Sequence, residues 1–212
     1  MVARGVVVRG PGPYLVLAGV ASTLFCGLAV GVETNRLARF DEAIRMEVHS
    51  LASPLLTRLA EKVTWLGSLG VLMLLGAVAI AVLVNARRRA GAIFLTVTMV
   101  GALALENGLK FWFRRVRPPA FFGSEPETYS FPSGHALFSL CLYGALAVAA
   151  TRCIESSAMR TGVWIATILL VLAIGGTRIY LGVHYPSDVL GGYLVAITWI
   201  AIALSADKRL AS

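Results

Sequence analysis

Long apolar runs separated by short polar connections dominate the chain. Residues 14–32, 68–84, 92–109, 136–150, 162–176 and 189–204 are each apolar over nearly the length a helix needs to cross about 30 Å of hydrocarbon, several of them near the short limit. The pattern predicts an all-α fold, a six-transmembrane helix bundle, in a single domain spanning residues 1–212. Glu106 and Asn107 interrupt the third run and Ser139 the fourth, so both helices are expected to turn these positions toward protein rather than lipid. Between the first two runs, Leu37, Phe40, Ile44, Val48, Leu51 and Leu55 recur every three or four residues with charged residues between them. That is an amphipathic segment, broken at Ser53-Pro54, with Pro54 opening a second short helix. It reads either as a helix packed on the end of the bundle or as one lying in the membrane interface.

Composition agrees with this picture. With 58% hydrophobic and 14% charged residues and a mean hydropathy of +0.78, the chain is too apolar for an ordinary soluble domain. No internal repeat, low-complexity tract or long linker divides it. Cys26, Cys141 and Cys153 lack the paired spacing of a disulfide framework or metal cluster and read as packing residues. The basic N-terminus followed by an apolar run and Ala29-Val30-Gly31 has features of a secretory signal, but the run is long and the small-residue site imperfect. It is expected to be a retained signal-anchor helix.

Charge adds an orientation. With six spans, Arg4 and Arg9, Arg87-Arg88-Arg89, Arg152 with Arg160, and Lys208-Arg209 fall on one side, which the positive-inside rule makes cytoplasmic. On the other side Arg36, Arg39, Arg45, Arg58 and Lys62 are offset by Glu33, Asp41, Glu42, Glu47 and Glu61. The remaining cations, Lys110, Arg114, Arg115, Arg117 and Arg178, run against the rule and sit in or beside three polar blocks.

The first block runs from Lys110 to Arg117-Pro118. Alone it reads as a snorkelling helix end with Trp112 and Phe113 in the interfacial aromatic belt. Yet Lys110 as a point charge and Arg117 as a planar fork suit a phosphate, and Pro118-Pro119 is expected to end the helix and hold Arg117 in place. The second block, Phe131-Pro132-Ser133-Gly134-His135, is at least a helix start. A helix start also aims unpaired N–H groups at an anion; Gly134 lets the anion approach, Ser133 adds a donor, and His135 at the rim could protonate a departing oxygen. In the third block Ser187 and Asp188 could merely cap the last span and His184 could be a satisfied core histidine. Alternatively Asp188, four residues after His184, fixes its tautomer and leaves the other nitrogen free to attack, with Arg178 as a third cation for phosphoryl oxygens.

The order and spacing carry more than any single block. Lys110, six residues, Arg117-Pro118; Pro132-Ser133-Gly134-His135; then Arg178, five residues, His184, three residues, Asp188: this resembles the type 2 phosphatidic acid phosphatase family of integral-membrane lipid phosphatases, over the motif region 110–188. The resemblance implies a six-helix bundle with its site at the non-cytoplasmic face, no metal and no other cofactor. It implies His184 as the nucleophile forming a phosphohistidine, Asp188 orienting it and His135 as general acid. Lys110, Arg117, Ser133, Gly134 and Arg178 would hold the phosphate. One departure is Thr177, where the family usually has Ser. Glu106, four residues before Lys110, is expected to pair with a cation rather than to take part in the chemistry.

The expected function is thus hydrolysis of a lipid phosphate or pyrophosphate (phosphatidylglycerophosphate, phosphatidate or undecaprenyl pyrophosphate) at the outer face of an inner membrane. The amphipathic segment could then lie beside the route by which lipid reaches the site. The expected partners are that substrate and the bilayer, with no nucleic acid and the oligomeric state open. A lipid phosphotransferase would use the same nucleophile. An anion or lipid-phosphate transporter would need neither the His184–Asp188 pair nor a second histidine, and the inverted repeats that would favour it are not seen.

Overall fold

A computed structural model describes residues 12–123 and 126–206. Among them every regular element is a helix: α1 (Gly12–Glu33), α2 (Ala38–Ser50), α3 (Pro54–Trp65), α4 (Leu69–Asn85), α5 (Arg89–Phe113), α6 (Gly134–Thr151), α7 (Ser157–Tyr180) and α8 (Pro186–Ala206). Five of these, α1, α5, α6, α7 and α8, are long and apolar enough to cross a membrane, and α3 with α4 makes a sixth span if the pair, bent by 44°, counts as one. The bend has a local reason. The break falls at residues 66–68, where Gly67 packs so closely on α7 that a Cβ would lie 2.3 Å from Ile174, and the 17 residues of α4 alone reach only about 26 Å. As its sequence predicts, α3 opens with Pro54 after Ser53, whose hydroxyl caps Leu56 N–H at 3.3 Å. The protein is an all-helical, multi-pass membrane protein.

Helix α6 is the centre of the bundle: 56% of its span is buried, against 28–39% for the other four single-helix spans. It packs on α5, α7 and α8, and α8 also lies along α1. Small residues let the backbones meet, since lipid offers no hydrophobic drive for helices to associate. At Gly192 of α8, a Cβ would come within 2.6 Å of the Ser133 carbonyl. The segment before α6 can therefore lie directly on the start of α8. Phe131, fully buried, stacks on Phe25 of α1 at 5.7 Å and meets Phe113 of α5 edge-on at 4.9 Å. With Gly191 of α8 also against the Phe131 ring, three helices are thus pinned around the turn that carries Ser133 and His135.

Three expectations are corrected. Asn107 faces outward, and its amide donates to the Leu103 carbonyl of its own helix at 2.8 Å, which makes an exposed polar side chain tolerable there. Glu106 and Ser139 do face protein. Cys141 is packed inside, but Cys26 and Cys153 are exposed. Finally, α5 stops at Phe113, with Arg114 left-handed (φ 46°), well before Pro118-Pro119. The prolines stiffen an extended strap beyond the helix end.

Helix α2 departs most from its pattern. Its buried residues are Asp41 and Arg45, while Phe40 and, just beyond the helix, Leu51 are exposed. The face turned toward the bundle thus carries Asp41 and Arg45 between half-buried Leu37, Ile44 and Val48, while Arg39, Glu42 and Glu47 face outward. Arg45 stacks on Phe121 at 4.1 Å, donates to the Pro119 carbonyl and pairs with Glu42, tying α2 to the strap.

Candidate active site

The three polar blocks converge at one end of the bundle, where α5 and α7 finish and α6 and α8 begin. The left-handed turn at Arg114 is the local step that assembles the first block. In a helix, positions 115 and 117 would point in nearly opposite directions; in the extended strap, where every second side chain shares a face, both turn inward. Val116 between them is 80% exposed. Ser130 N–H donates to the Arg115 carbonyl at 2.9 Å, so the strap is held against the segment leading to α6.

Arg117 is anchored by the carbonyls of Thr128, Tyr129 and Val183 at 2.6, 3.2 and 2.8 Å, and its Nη1 lies 2.9 Å from His184 Nε2. A guanidinium only donates, so Nε2 must accept and the ring proton belongs on Nδ1. That nitrogen faces Asp188 Oδ2 at 3.3 Å. The two contacts select one tautomer, with the lone pair on the nitrogen toward the cations. Burial pushes the His184 pKa down to about 4; the hydrogen bond and charge of Asp188 oppose this, while Arg117 and Arg178 reinforce it. The imidazole is neutral at physiological pH.

Asp188 is fully buried. Oδ2 also accepts from Tyr185 N–H at 2.8 Å and from the Ser130 hydroxyl, and Oδ1 pairs with Arg115 at 2.5 Å. The backbone of Ser133 donates to the Asp188 carbonyl at 2.9 Å, linking the second and third blocks. Lys110 and Arg117 share the Thr128 hydroxyl at 3.4 and 3.0 Å. Lys110 also pairs with buried Glu106 at 2.6 Å, the intrahelical partner expected for it. The same Glu106 carboxylate lies against Gly134, where a Cβ would approach Oε1 to 2.8 Å. His135, half-buried, lies within electrostatic range of Arg178, His184, Arg117 and Lys110. Arg178 donates from Nη1 to Thr64 of α3 at 2.9 Å. Its Nε and the Ser133 hydroxyl are buried without a hydrogen-bond partner. Two unsatisfied buried donors beside three cations and two imidazoles describe a site shaped for an anion rich in acceptor oxygens. Thr177 contributes nothing to it directly; its hydroxyl donates to the Ile174 carbonyl at 2.6 Å.

All eight residues predicted for the site meet here. Four others that sequence reasoning left out join them. Arg115 bridges Asp188 and Asp41, Ser130 donates to Asp188, and Ser187 donates from both its backbone and its hydroxyl to Asp41. An arginine two residues from Arg117 was the available signal for Arg115. Asp41, on a helix far away in sequence, offered none.

Among proteins of known identity, phosphatidylglycerophosphatase B of Bacillus subtilis is 27% identical over 187 residues, 88% of this chain and 92% of that protein. The undecaprenyl-diphosphatase of Sulfolobus acidocaldarius is 31% identical over 125 residues, 56% of each chain. Among solved structures, the transmembrane PAP2-type phosphatidylglycerolphosphate phosphatase from Bacillus subtilis matches with a TM-score of 0.83 at 26% identity, covering 91% of this chain and 96% of that one. LpxE of Aquifex aeolicus matches with a TM-score of 0.61 at 25% identity, over 78% and 94%. The family description "PAP2 superfamily" fits residues 91–211, more than half of the chain and the whole stretch from Lys110 to Asp188, and the protein belongs to that superfamily.

Proposed function

We propose that this protein is a membrane phosphatase that releases phosphate from a lipid phosphate or diphosphate by way of a phosphohistidine at His184. The observation that carries the reading is the His184 tautomer: a neutral ring, its Nδ1–H toward Asp188 and its Nε2 lone pair on the side of Arg117, with Arg178 within electrostatic range. The phosphoryl oxygens take over donors from Arg117, Arg178, Lys110, the Ser133 hydroxyl and the N–H groups opening α6. Arg117 thereby leaves Nε2, which is freed to attack phosphorus. The P–O bond to the lipid breaks, and His135 delivers a proton to the leaving oxygen. A water then attacks the phosphohistidine, His135 takes its proton, and inorganic phosphate departs with the imidazole restored. Asp188 stabilises the positive charge that builds on the ring in the first step.

The relatives support glycerophospholipid and polyprenyl phosphates as the substrates to test first, with phosphatidylglycerophosphate ahead because the similarity to its phosphatases runs along most of the chain. Phosphate release from a panel of phosphatidylglycerophosphate, phosphatidate and undecaprenyl pyrophosphate by the purified protein, with acid-labile phosphate trapped on the chain, tests the reading. No release from any of them, or release without labelling, overturns it. Activity is expected to survive chelation, because the described residues hold no group of three or more His, Cys, Asp or Glu able to bind a metal.

The site is proposed to face the outside of an inner membrane. Arg87, Arg88 and Arg152 on the connections, with Arg89 and Arg160 in the first turns of α5 and α7, lie at the opposite end of the bundle, where Arg88 contacts Cys153. Arg4, Arg9, Lys208 and Arg209 lie outside the described residues. Labelling of Glu127→Cys from the cytoplasmic side only would reverse the orientation.

A further inference from the structure

Asp41 is the most deeply buried charge that the reaction above does not use. It is fully buried, yet it comes from α2, an amphipathic helix whose apolar positions are largely exposed, and it lies outside the stretch that defines the superfamily. Burying a carboxylate is expensive unless it is fully paired. Asp41 is: Oδ1 accepts Ser187 N–H at 2.9 Å, and Oδ2 accepts the Ser187 hydroxyl at 2.6 Å and Arg115 Nη2 at 2.7 Å. Arg115 in turn reaches Asp188 Oδ1 with Nη1 at 2.5 Å and stacks on Tyr185 at 4.2 Å.

We propose that Asp41, acting through Arg115 and Ser187, is a positioning residue that aims and charges the Asp188–His184 pair. Two arguments converge. The first is geometric. The His184–Asp188 contact, at 3.3 Å, is longer than the Tyr185 and Arg115 contacts to Asp188, so those stronger contacts decide where the carboxylate points. Of them, only the Arg115 contact reaches Oδ1, and Asp41 orients the guanidinium that makes it. Asp41 also grips Ser187, the residue before Asp188 in the first turn of α8. The second argument is charge. One guanidinium between two carboxylates leaves a unit of negative charge beside the imidazole, which suits a ring that becomes positive as Nε2 attacks. With Asp41 neutral, Arg115 would be committed to Asp188 alone and would offset its pull on His184.

This inference rests on the phosphohistidine reading, and the test separates the two. In full-length detergent-solubilised protein, the burst of acid-labile phosphoenzyme from an aryl phosphate, inhibition by inorganic phosphate, and Tm are measured for wild type, Asp41→Asn, Arg115→Gln and the double variant. Asp41→Asn is expected to slow the burst on the order of 10–100-fold, the scale on which supporting partners of reactive groups act. Its phosphate inhibition constant should stay within about two-fold of wild type, because the groups that hold the phosphoryl oxygens are untouched. Arg115→Gln leaves two buried carboxylates without their shared cation and should lower Tm most. The double variant restores the net charge but not the guanidinium that aims Asp188, so it should regain much of that Tm while its burst stays slow. A merely structural Asp41 would make rate and Tm recover together, and that outcome overturns the proposal, as does an unchanged burst in Asp41→Asn. Absence of a burst in wild type would remove the phosphohistidine reading and this inference with it.

Discussion

Within the site, the proposed nucleophile and the proposed phosphate cradle are built in opposite ways. Around His184 and Asp188 the donors and acceptors are matched: four groups address the Asp188 carboxylate, and Asp41 has three contacts of its own. In the cradle, the Ser133 hydroxyl and Arg178 Nε are buried without partners. The half around His184 is complete by itself; in the proposed reaction the oxygens of the phosphoryl group complete the other. Preorganisation of the reacting group and incomplete satisfaction of the binding groups together direct binding energy to the phosphate. Arg117 straddles the two halves, resting on His184, which it releases in the proposed reaction.

Breaking the nucleophilic half should have the largest effect. His184→Ala is expected to abolish turnover of every substrate, by at least about 10⁴-fold, and to leave no acid-labile phosphate on the protein. His135→Ala should differ in kind. Its loss should be greatest for an alkyl lipid phosphate, smaller for a diphosphate and least for an aryl phosphate, whose leaving group needs no proton. Equal losses across the three would reject the acid role, and a phosphoenzyme in His184→Ala would reject the nucleophile.

The cradle should respond through binding. Replacing Arg178 by Lys keeps the charge and loses the fork, so inhibition by inorganic phosphate should weaken on the order of 10-fold or more, the worth of a charge-assisted hydrogen bond. Two serines then sharpen the contrast between the halves. Ser130 donates to Asp188, and Ser133, three residues on, has a hydroxyl with no partner. Ser130→Ala should cost about 1–3 kcal/mol of stability by stripping a donor from a buried carboxylate, whereas Ser133→Ala should leave Tm unchanged or slightly higher while weakening phosphate binding. Thermal unfolding in detergent reads the first effect and phosphate inhibition the second. Reversal of the two serines would show that the assignment of satisfied and unsatisfied halves is wrong.

The residues of the proposed cradle and catalytic pair, which the fold brings together, were legible in the sequence because phosphate chemistry demands particular residue types at fixed spacings. Lys110, Arg117, Ser133, Gly134, His135, Arg178, His184 and Asp188 are such residues. The helices were legible as apolar runs. The supporting network was not. Asp41 sits in an amphipathic helix, where periodicity assigns apolar residues to the protein side, yet half-buried Arg115 and buried Ser187 reverse that preference locally. Arg115 was hidden among neighbouring cations, because only the left-handed Arg114 decides that 115 and 117 share a face, and an arginine is not a residue from which that turn is expected. Asn107 escaped because a side chain bonded to its own helix has no sequence signature distinct from one turned inward.

The smallest effect should be that of mild acid on the nucleophile. An ordinary histidine takes up its proton near pH 6.5, whereas burial, with help from Arg117 and Arg178 and against the opposition of Asp188, lowers His184 to about 4. The unfolded chain therefore binds the proton first as pH falls. The contribution of the neutral, buried ring to stability is whole above about pH 6.5 and is lost progressively as the pH drops toward 4. Between pH 7 and about 5 His184 should remain the Nδ1–H tautomer, readable as unchanged imidazole ¹⁵N shifts in labelled, detergent-solubilised protein. Each neighbour has its own sign. Removing the opposing carboxylate in Asp188→Asn should move the titration still lower, and removing a like charge in Arg117→Ala should move it up. A wild-type midpoint near 6.5 would mean that the ring is open to water, and the nucleophilic half would then be no more complete than the cradle.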